Sequence, residues 1–280
     1  MLCHIFQDGR DGFGHQLEGF FNCLIIHGIN NNYFDGVAFK EKNFEFEHVN
    51  ENQSKLLKEY LIEIINQFIN HYKQEKIIYK TILRSHEYIN IPKNYESDIL
   101  YSLDNIFSFK KIFTDKDSIE KIKENIDILK LIVINDKLPL NRLDKKNIVI
   151  HIRLGDALTT GRGNSIFEYN FKILKLIDIL KKKYPEHTYY IHSDGNPDEI
   201  INKIGSNYFF YNKDTPVLEV LSDFIYSSIF ICGNSSLSVV SSFFGNKELI
   251  IVNDDNDHSL PDNNTHFIST YLENNLNIKG

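Results

Sequence analysis

The sequence predicts an α/β protein with parallel sheets, on three observations. Past residue 140, short apolar runs alternate with stretches of helical periodicity, the pattern of βα units buried on both faces of a sheet. At the other end, Leu2 to Phe6 reads as a short strand entering a Gly-rich turn that leads into an amphipathic helix. Between these regions lies LPLNRLDKKN, polar and turn-prone, which predicts a boundary between domains 1–140 and 141–280.

The elements follow in order. After the turn QDGRDGFG (Gln7 to Gly14), Leu17, Phe20, Phe21, Leu24 and Ile25 stand at helical spacing. Asn30 to Asn43 reads as a loop, of the kind that builds an acceptor site without a readable code. Glu51 to Tyr72 is a strong amphipathic helix, with Leu57, Leu61, Ile64, Ile65, Phe68, Ile69 and Tyr72 on one stripe. Lys76 to Leu83 alternates like a strand, and Ile119 to Ile134 has helical periodicity. In the second half, strands are predicted at Asn147 to Arg153, Thr188 to Ser193, Tyr208 to Tyr211, Ile229 to Cys232 and Glu248 to Asn253. Helices are predicted at Phe167 to Tyr184, Val217 to Ser228 and Leu237 to Phe244, and the segment from Asp254 reads as a polar tail.

Composition narrows the function classes. With 280 residues, 42% of them hydrophobic, the chain can bury roughly 75% of its unfolded surface and needs no disulfide or metal staple. A net charge of -7 argues against a sequence-independent nucleic-acid binder, which neutralises phosphates with a basic surface. Cys3, Cys23 and Cys232 are widely spaced and outside any CxxC pattern, as in a reducing compartment with no zinc site. The start MLCHIFQDGRDGFG lacks the apolar run of a secretory signal, and no stretch reaches the roughly 18 apolar residues of a membrane span. The expectation is a soluble cytoplasmic protein without a transmembrane segment, with peripheral membrane association left open.

Three segments, each just after a predicted strand, stand where open parallel sheets bind ligands. The first is GRDGFGHQ, Gly9 to Gln16, whose glycines permit close backbone approach to an anion before a helix start. It lacks the Gly-Lys-Ser/Thr ending of a Walker A loop, and Leu17 occupies the third small position of the dinucleotide fingerprint. A tight turn with no ligand fits it equally well. The second is HIRLGD, His151 to Asp156. Period two puts His151 and Arg153 on one face, opposite Ile152, and an Arg leaving a buried strand suits a diphosphate. An internal pair between Arg153 and Asp156 beside a core histidine is the alternative. The third is GNSSLSVVSSFFG, Gly233 to Gly245, where Ser235 or Ser236 can cap a helix while other hydroxyls and N–H groups grip phosphate. A fourth element, HSDG, places Asp194 at a strand end, able to accept from a base or ribose.

In combination, HxRxGD, the GxxGFGxQ opening, a strand ending in SD and the late NSSxS resemble the GDP-fucose-dependent fucosyltransferases of the α1,2 type, in the superfamily that holds the α1,6 and protein O-fucosyltransferases. HIRLGD is the most specific of these motifs, and the resemblance spans most of the chain in motif order. It implies a GT-B type glycosyltransferase of two Rossmann-like domains, with the donor held mainly by the C-terminal half and a glycan as acceptor. It implies that Arg153 contacts the donor diphosphate, that His151 lies beside the nucleoside and that Asp194 lies near the guanine. Asn234, Ser235 and Ser236 fall in the segment near the β-phosphate, and Arg10, Gly12 and Gly14 in the Gly-rich donor loop. Five positions depart from the family pattern: His15 replaces the usual Asn, Leu154 a frequent second basic residue, Gly195 a second acid, and Val239 with Val240 an aromatic pair.

The reaction so implied is inverting transfer of fucose from GDP-fucose to a glycan hydroxyl, with GDP leaving. Negative charge grows on the diphosphate, and Arg153, N–H groups near Ser235 and Arg10 are the groups to meet it. No cofactor or metal is expected. The only acidic run, Asp254 to Asp257, reads as a solvated loop. Asp156, Glu168 and His15 are candidates for the base, and no spacing decides among them. Two rivals stay open: a glycosyltransferase using another nucleotide sugar, and a non-catalytic sugar-nucleotide or glycan-binding descendant. The failed loop tests disfavour a kinase or NAD enzyme.

Overall fold

A computed structural model of the chain describes residues 2–6, 13–14, 17, 34–39, 46, 49–72, 81–85, 99–103, 126–154, 163–233, 235–254 and 264–276. The chain divides into two compact units, 1–139 and 140–280.

The N-terminal unit carries a four-stranded sheet built from β1 (Leu2–Phe6), β2 (Phe34–Phe39), β3 (Thr81–Ser85) and β4 (Ile99–Leu103). Its order is β2-β1-β4-β3, and every pairing is parallel. The segment read as a loop, Asn30 to Asn43, thus contains a strand. FDGVAF is apolar at alternate ends but interrupted by Asp35 and Gly36, which hid its strand pattern. The expected strand at Lys76 to Leu83 is described as Thr81–Ser85. Helix α1 (Glu51–Tyr72) is the one expected. Asn50 starts it: its Oδ1 accepts from the Gln53 N–H at 3.0 Å, the bond of an N-cap residue. Ser54, Leu57, Tyr60, Leu61, Ile64 and Phe68 form its buried stripe. From that stripe the Tyr60 hydroxyl donates to the Val133 carbonyl at 3.1 Å, in the helical segment 126–133.

The C-terminal unit is a six-stranded parallel sheet with helices on both faces. Its elements are β5 (Asn147–Ile152), α2 (Gly163–Lys183), β6 (Thr188–Ser193), α3 (Asp198–Ile204), β7 (Tyr208–Tyr211), α4 (Val217–Tyr226), β8 (Ile229–Cys232), α5 (Ser236–Ser242), β9 (Leu249–Val252), β10 (Thr265–Phe267) and α6 (Ile268–Leu276). The order is β10-β9-β8-β5-β6-β7, all parallel. Counted from β5, this is the doubly wound order 3-2-1-4-5-6. The strands β8 and β9 are buried throughout and read as unbroken apolar runs, while β6, equally buried, carries Thr188, His192 and Ser193 at its ends.

Alternation sorts each strand between two cores. Ile148, Ile150 and Ile152 of β5, with Ile191, Ile231 and Ile251, pack against Ile173, Leu176, Ile177 and Leu180 of α2 and Ile268 and Leu272 of α6. His151 and His192 face the other way, their rings 5.0 and 5.2 Å from that of Phe224 on α4. On this face buried Lys247 donates to the carbonyls of Ile225, Ser241 and Phe244, tying the ends of α4 and α5 together. Gly245 lies at φ +83, where a Cβ would stand 2.0 Å from the Ile225 carbonyl oxygen.

Besides β2 and β4 of the N-terminal unit, three elements of the C-terminal unit were not expected. Helix α3 is one of them, a two-turn helix after Asn196-Pro197, with Ile200 and Ile204 buried. Strand β10 and helix α6 occupy what reads as a polar tail, and Ile268, Tyr271 and Leu272 bury its one apolar face. Helix α2 begins four residues earlier than periodicity indicates, because its first turn (GNSI) is polar.

Candidate functional site

In a doubly wound sheet, the strand order reverses between the first and fourth strands, and ligands bind beyond the carboxyl ends there. Here those strands are β5 and β8, which pair directly. The segments that follow them are HIRLGD and GNSSLS. Two motifs distant in sequence therefore arrive side by side because of the crossover topology alone.

Their contact is close. The Nδ1 of half-buried His151 lies 3.0 Å from Oγ of Ser238 on α5. Ser238 is fully buried, and its Oγ also lies 3.0 Å from the Gly233 carbonyl and 2.9 Å from that of Ser235. A Cβ on Gly233 would stand 2.6 Å from the His151 carbonyl oxygen and 2.9 Å from its Nδ1. Only glycine lets the end of β8 come this near.

Charge is set by the same packing. Burial pushes the His151 pKa down from 6.5 to about 3, and the nearby His192 and the Arg153 cation push in the same direction. At neutral pH the imidazole is uncharged and too weak a base to take a proton from an alcohol. Arg153 leaves β5 at its carboxyl edge, two residues past His151 and near enough for its charge to act on the ring. Next to them, Asp194 follows β6, the other neighbour of β5. Its Oδ1 accepts from the Leu154 N–H at 2.5 Å, bracing the turn that leaves β5. Leu154 itself packs against the hydrophobic core.

Other predicted residues are placed as follows. Ser235 is the residue before α5, extended at φ -147, ψ 136, and its side chain makes no capping bond. Capping was the expectation for Ser235 or Ser236, but the hydroxyl at work in this turn is that of Ser238. Ser235 and Ser236 are both half-buried. Glu168 is exposed on α2, with its carboxylate 2.6 Å from Lys172 Nζ. Gly14 is half-buried in the N-terminal unit, between buried Phe13 and Leu17. Arg10, Gly12, His15, Asp156 and Asn234 lie outside the described residues.

The acidic run is partly corrected. Asp254 is not a solvated loop residue: it accepts from Lys172 Nζ at 2.8 Å, and from the Ser269 N–H at 3.1 Å and hydroxyl at 2.6 Å. Asp255 to Asp257 lie outside the described residues. Among the described residues, no group of three or more His, Cys, Asp or Glu side chains is arranged to hold a metal ion. Among them, too, no helix is long and apolar enough to cross a membrane. Gly233 and Ser238 stand in the flagged GNSSLS segment, but neither was given a role of its own from sequence. The one signal was the i, i+3 spacing of Ser235 and Ser238 after a glycine, which is common in ordinary helix starts.

Comparison with known proteins adds little to this geometry. No family model and no curated protein sequence matches the chain. Among solved structures, the chain is similar to S. aureus MnaA in a co-structure with UDP, at a TM-score of 0.40 and 11% identity, over 90% of this chain and 78% of that one.

Proposed function

We propose that the C-terminal unit binds GDP-fucose and that the protein transfers fucose, with inversion and without a metal, to a hydroxyl of a glycan. One observation carries the reading. At the switch point of a doubly wound sheet, Arg153 leaves the end of β5 two residues past a neutral His151 whose pKa its charge helps to lower, and Gly233 and Ser238, which follow the neighbouring strand, close onto that histidine. A guanidinium there suits a diphosphate, and the motif order across the chain supports GDP-fucose as its source.

In this reading the acceptor oxygen attacks the anomeric carbon as the bond to the β-phosphate oxygen breaks, and the electron pair leaves with GDP. Arg153 meets the charge that grows on the leaving diphosphate. Loss of one such preorganised donor costs about 10²–10³ in turnover. His151 is disfavoured as the base, because a pKa lowered to about 3 leaves it a weak proton acceptor. Asp156 and His15 remain the candidates for that role, with Glu168 third because its carboxylate is engaged by Lys172.

The test has two parts. GDP should raise the melting temperature more than UDP or ADP does, since ligand at 100 times its Kd adds about 2.7 kcal/mol of stability. Arg153→Ala should remain folded and lose transfer from GDP-fucose by at least a hundredfold. Undiminished transfer at saturating donor sinks the assignment.

A second reading, a non-catalytic sugar-nucleotide binder, is favoured by Leu154. Its packing against the core leaves the donor edge one cation poorer than the family pattern. GDP binding without product or donor hydrolysis across a broad acceptor panel would select it.

A further inference from the structure

Three neighbours crowd the Ser238 hydroxyl: His151 Nδ1 at 3.0 Å, the Gly233 carbonyl at 3.0 Å and the Ser235 carbonyl at 2.9 Å. Carbonyl oxygens only accept, and a hydroxyl carries one proton. That proton is therefore directed to the carbonyls, and Oγ presents a lone pair to the ring. Nδ1 must supply the hydrogen of the third contact. In a neutral imidazole the other nitrogen, Nε2, is then a bare acceptor.

We infer that Ser238 is a positioning residue that fixes His151 as the Nδ1–H tautomer, so that Nε2 accepts a hydrogen bond from a hydroxyl or N–H of the bound ligand. Gly233 is the second half of the device, since any side chain there would push the serine segment off the histidine. The neutral state is held by burial, by the Arg153 cation and by His192, the register partner of His151, next to which a second proton is disfavoured. The consequence is a division of labour along one strand end. A bare Nε2 repels a phosphate oxygen, which also only accepts, whereas the Arg153 guanidinium attracts it. His151 thus reads a neutral donor group of the ligand, and Arg153 reads its charge.

The ligand half rests on the donor-binding reading; the tautomer does not. Long-range ¹H–¹⁵N spectra of the full chain with labelled histidine, assigned by loss of a signal in His151→Gln, should show a protonated Nδ1 and a bare Nε2 from pH 5 to 8. A proton on Nε2, or an imidazolium in that range, overturns the inference. Ser238→Ala should mix the two tautomers and weaken GDP binding about fivefold, the worth of one neutral hydrogen bond. Ser238→Thr, which keeps the hydroxyl, should restore both. An unchanged tautomer in Ser238→Ala is a refutation, and should that variant not fold, the wild-type and Ser238→Thr spectra still decide. On saturation with GDP, Nε2 should move upfield as it accepts a hydrogen bond. A static Nε2 with GDP bound removes the ligand half. Failure of the wild type to bind GDP with the tautomer as expected defeats the donor reading and leaves the role of Ser238 supported.

Discussion

Arg142 grips Asp223 through two nitrogens, Nε at 2.9 Å from Oδ1 and Nη2 at 2.6 Å from Oδ2. Asp223 is 1% exposed, and its Oδ2 also approaches Nε2 of buried His192 to 3.1 Å, off the line of a good hydrogen bond. The guanidinium lies 4.3 Å over the Tyr211 ring, which stacks on His192 at 4.9 Å. One carboxylate therefore ties the chain ahead of β5 to α4, β6 and β7. Removing one partner of a buried pair strands the other, at about 3–5 kcal/mol. Because Arg142 is 32% exposed and keeps its pairing with Glu219 when Asp223 is removed, the lower end applies. Asp223→Ala should lose about 3 kcal/mol in urea unfolding, and Arg142→Met with Asp223→Leu should recover part of that. A loss below about 1 kcal/mol for Asp223→Ala would show that the network carries no weight.

Acid should weaken the C-terminal unit well before its carboxylates titrate. His151 is held down to about 3, and His192 is also lowered, mainly by burial, with Asp223 opposing and Arg142 assisting. Both histidines are neutral when folded and take a proton near pH 6.5 when unfolded. The unfolded chain then binds more protons, so stability is complete above about pH 6.5 and falls as pH drops below it. Each histidine contributes a slope of up to about 1.4 kcal/mol per pH unit. Unfolding free energies at pH 7.5, 6 and 5 should trace this decline, and His151→Gln should flatten it by close to one proton. A profile level between pH 7.5 and 5 contradicts the assigned burial.

The central strands of the C-terminal sheet were legible because they are buried on both faces. NIVIHIR, TYYIHS and IFIC admit no other local reading, and each lies within a residue of its observed strand. Strand β7 was legible by its aromatics although it is an edge. Helix α6 was not, because Ile268, Tyr271 and Leu272 stand among Ser, Thr, Glu and Asn with too little contrast until α2 is there to cover them. Strand β2 was lost to Asp35 and Gly36. At the candidate site, sequence alternation put His151 opposite Ile152, as found. The pairing of β5 with β8 brings Ser238 to His151 across 87 positions, and no local pattern encodes that contact.

The C-terminal helix is moored by Asp254. Its carboxylate accepts from the N–H and hydroxyl of Ser269 in the first turn of α6, and from Lys172 on α2. Burial raises the Asp254 pKa, but the bonds from Lys172 and Ser269 outweigh it and hold the group below the ordinary aspartate value. Asp254→Ala should cost about 1–2 kcal/mol, the worth of a helix cap, and should speed proteolysis within 268–276. Asp254→Asn, which keeps an acceptor for Ser269 but no charge for Lys172, should fall between. Equal protease resistance in all three proteins would show that the mooring lies elsewhere.

The same lysine bears on the search for a base. Lys172 Nζ lies 2.6 Å from Glu168 and 2.8 Å from Asp254, so Glu168 is the exposed outer member of a three-residue chain. A general base needs its lone pair within about 2.6–3.2 Å of the proton it takes, or one water away, and contributes typically 10²–10⁴ in rate. A carboxylate already held by an ammonium must surrender that contact to reach an acceptor. Glu168→Gln should therefore leave transfer from GDP-fucose within about threefold of wild type, since the amide oxygen still accepts from Lys172. The exposed i, i+4 pair is worth only about 0.3–0.5 kcal/mol, so the melting temperature should barely move. A hundredfold fall in kcat with KM for GDP-fucose unchanged would return Glu168 to the chemistry, and the ion pair with Lys172 would then be the resting state of the base.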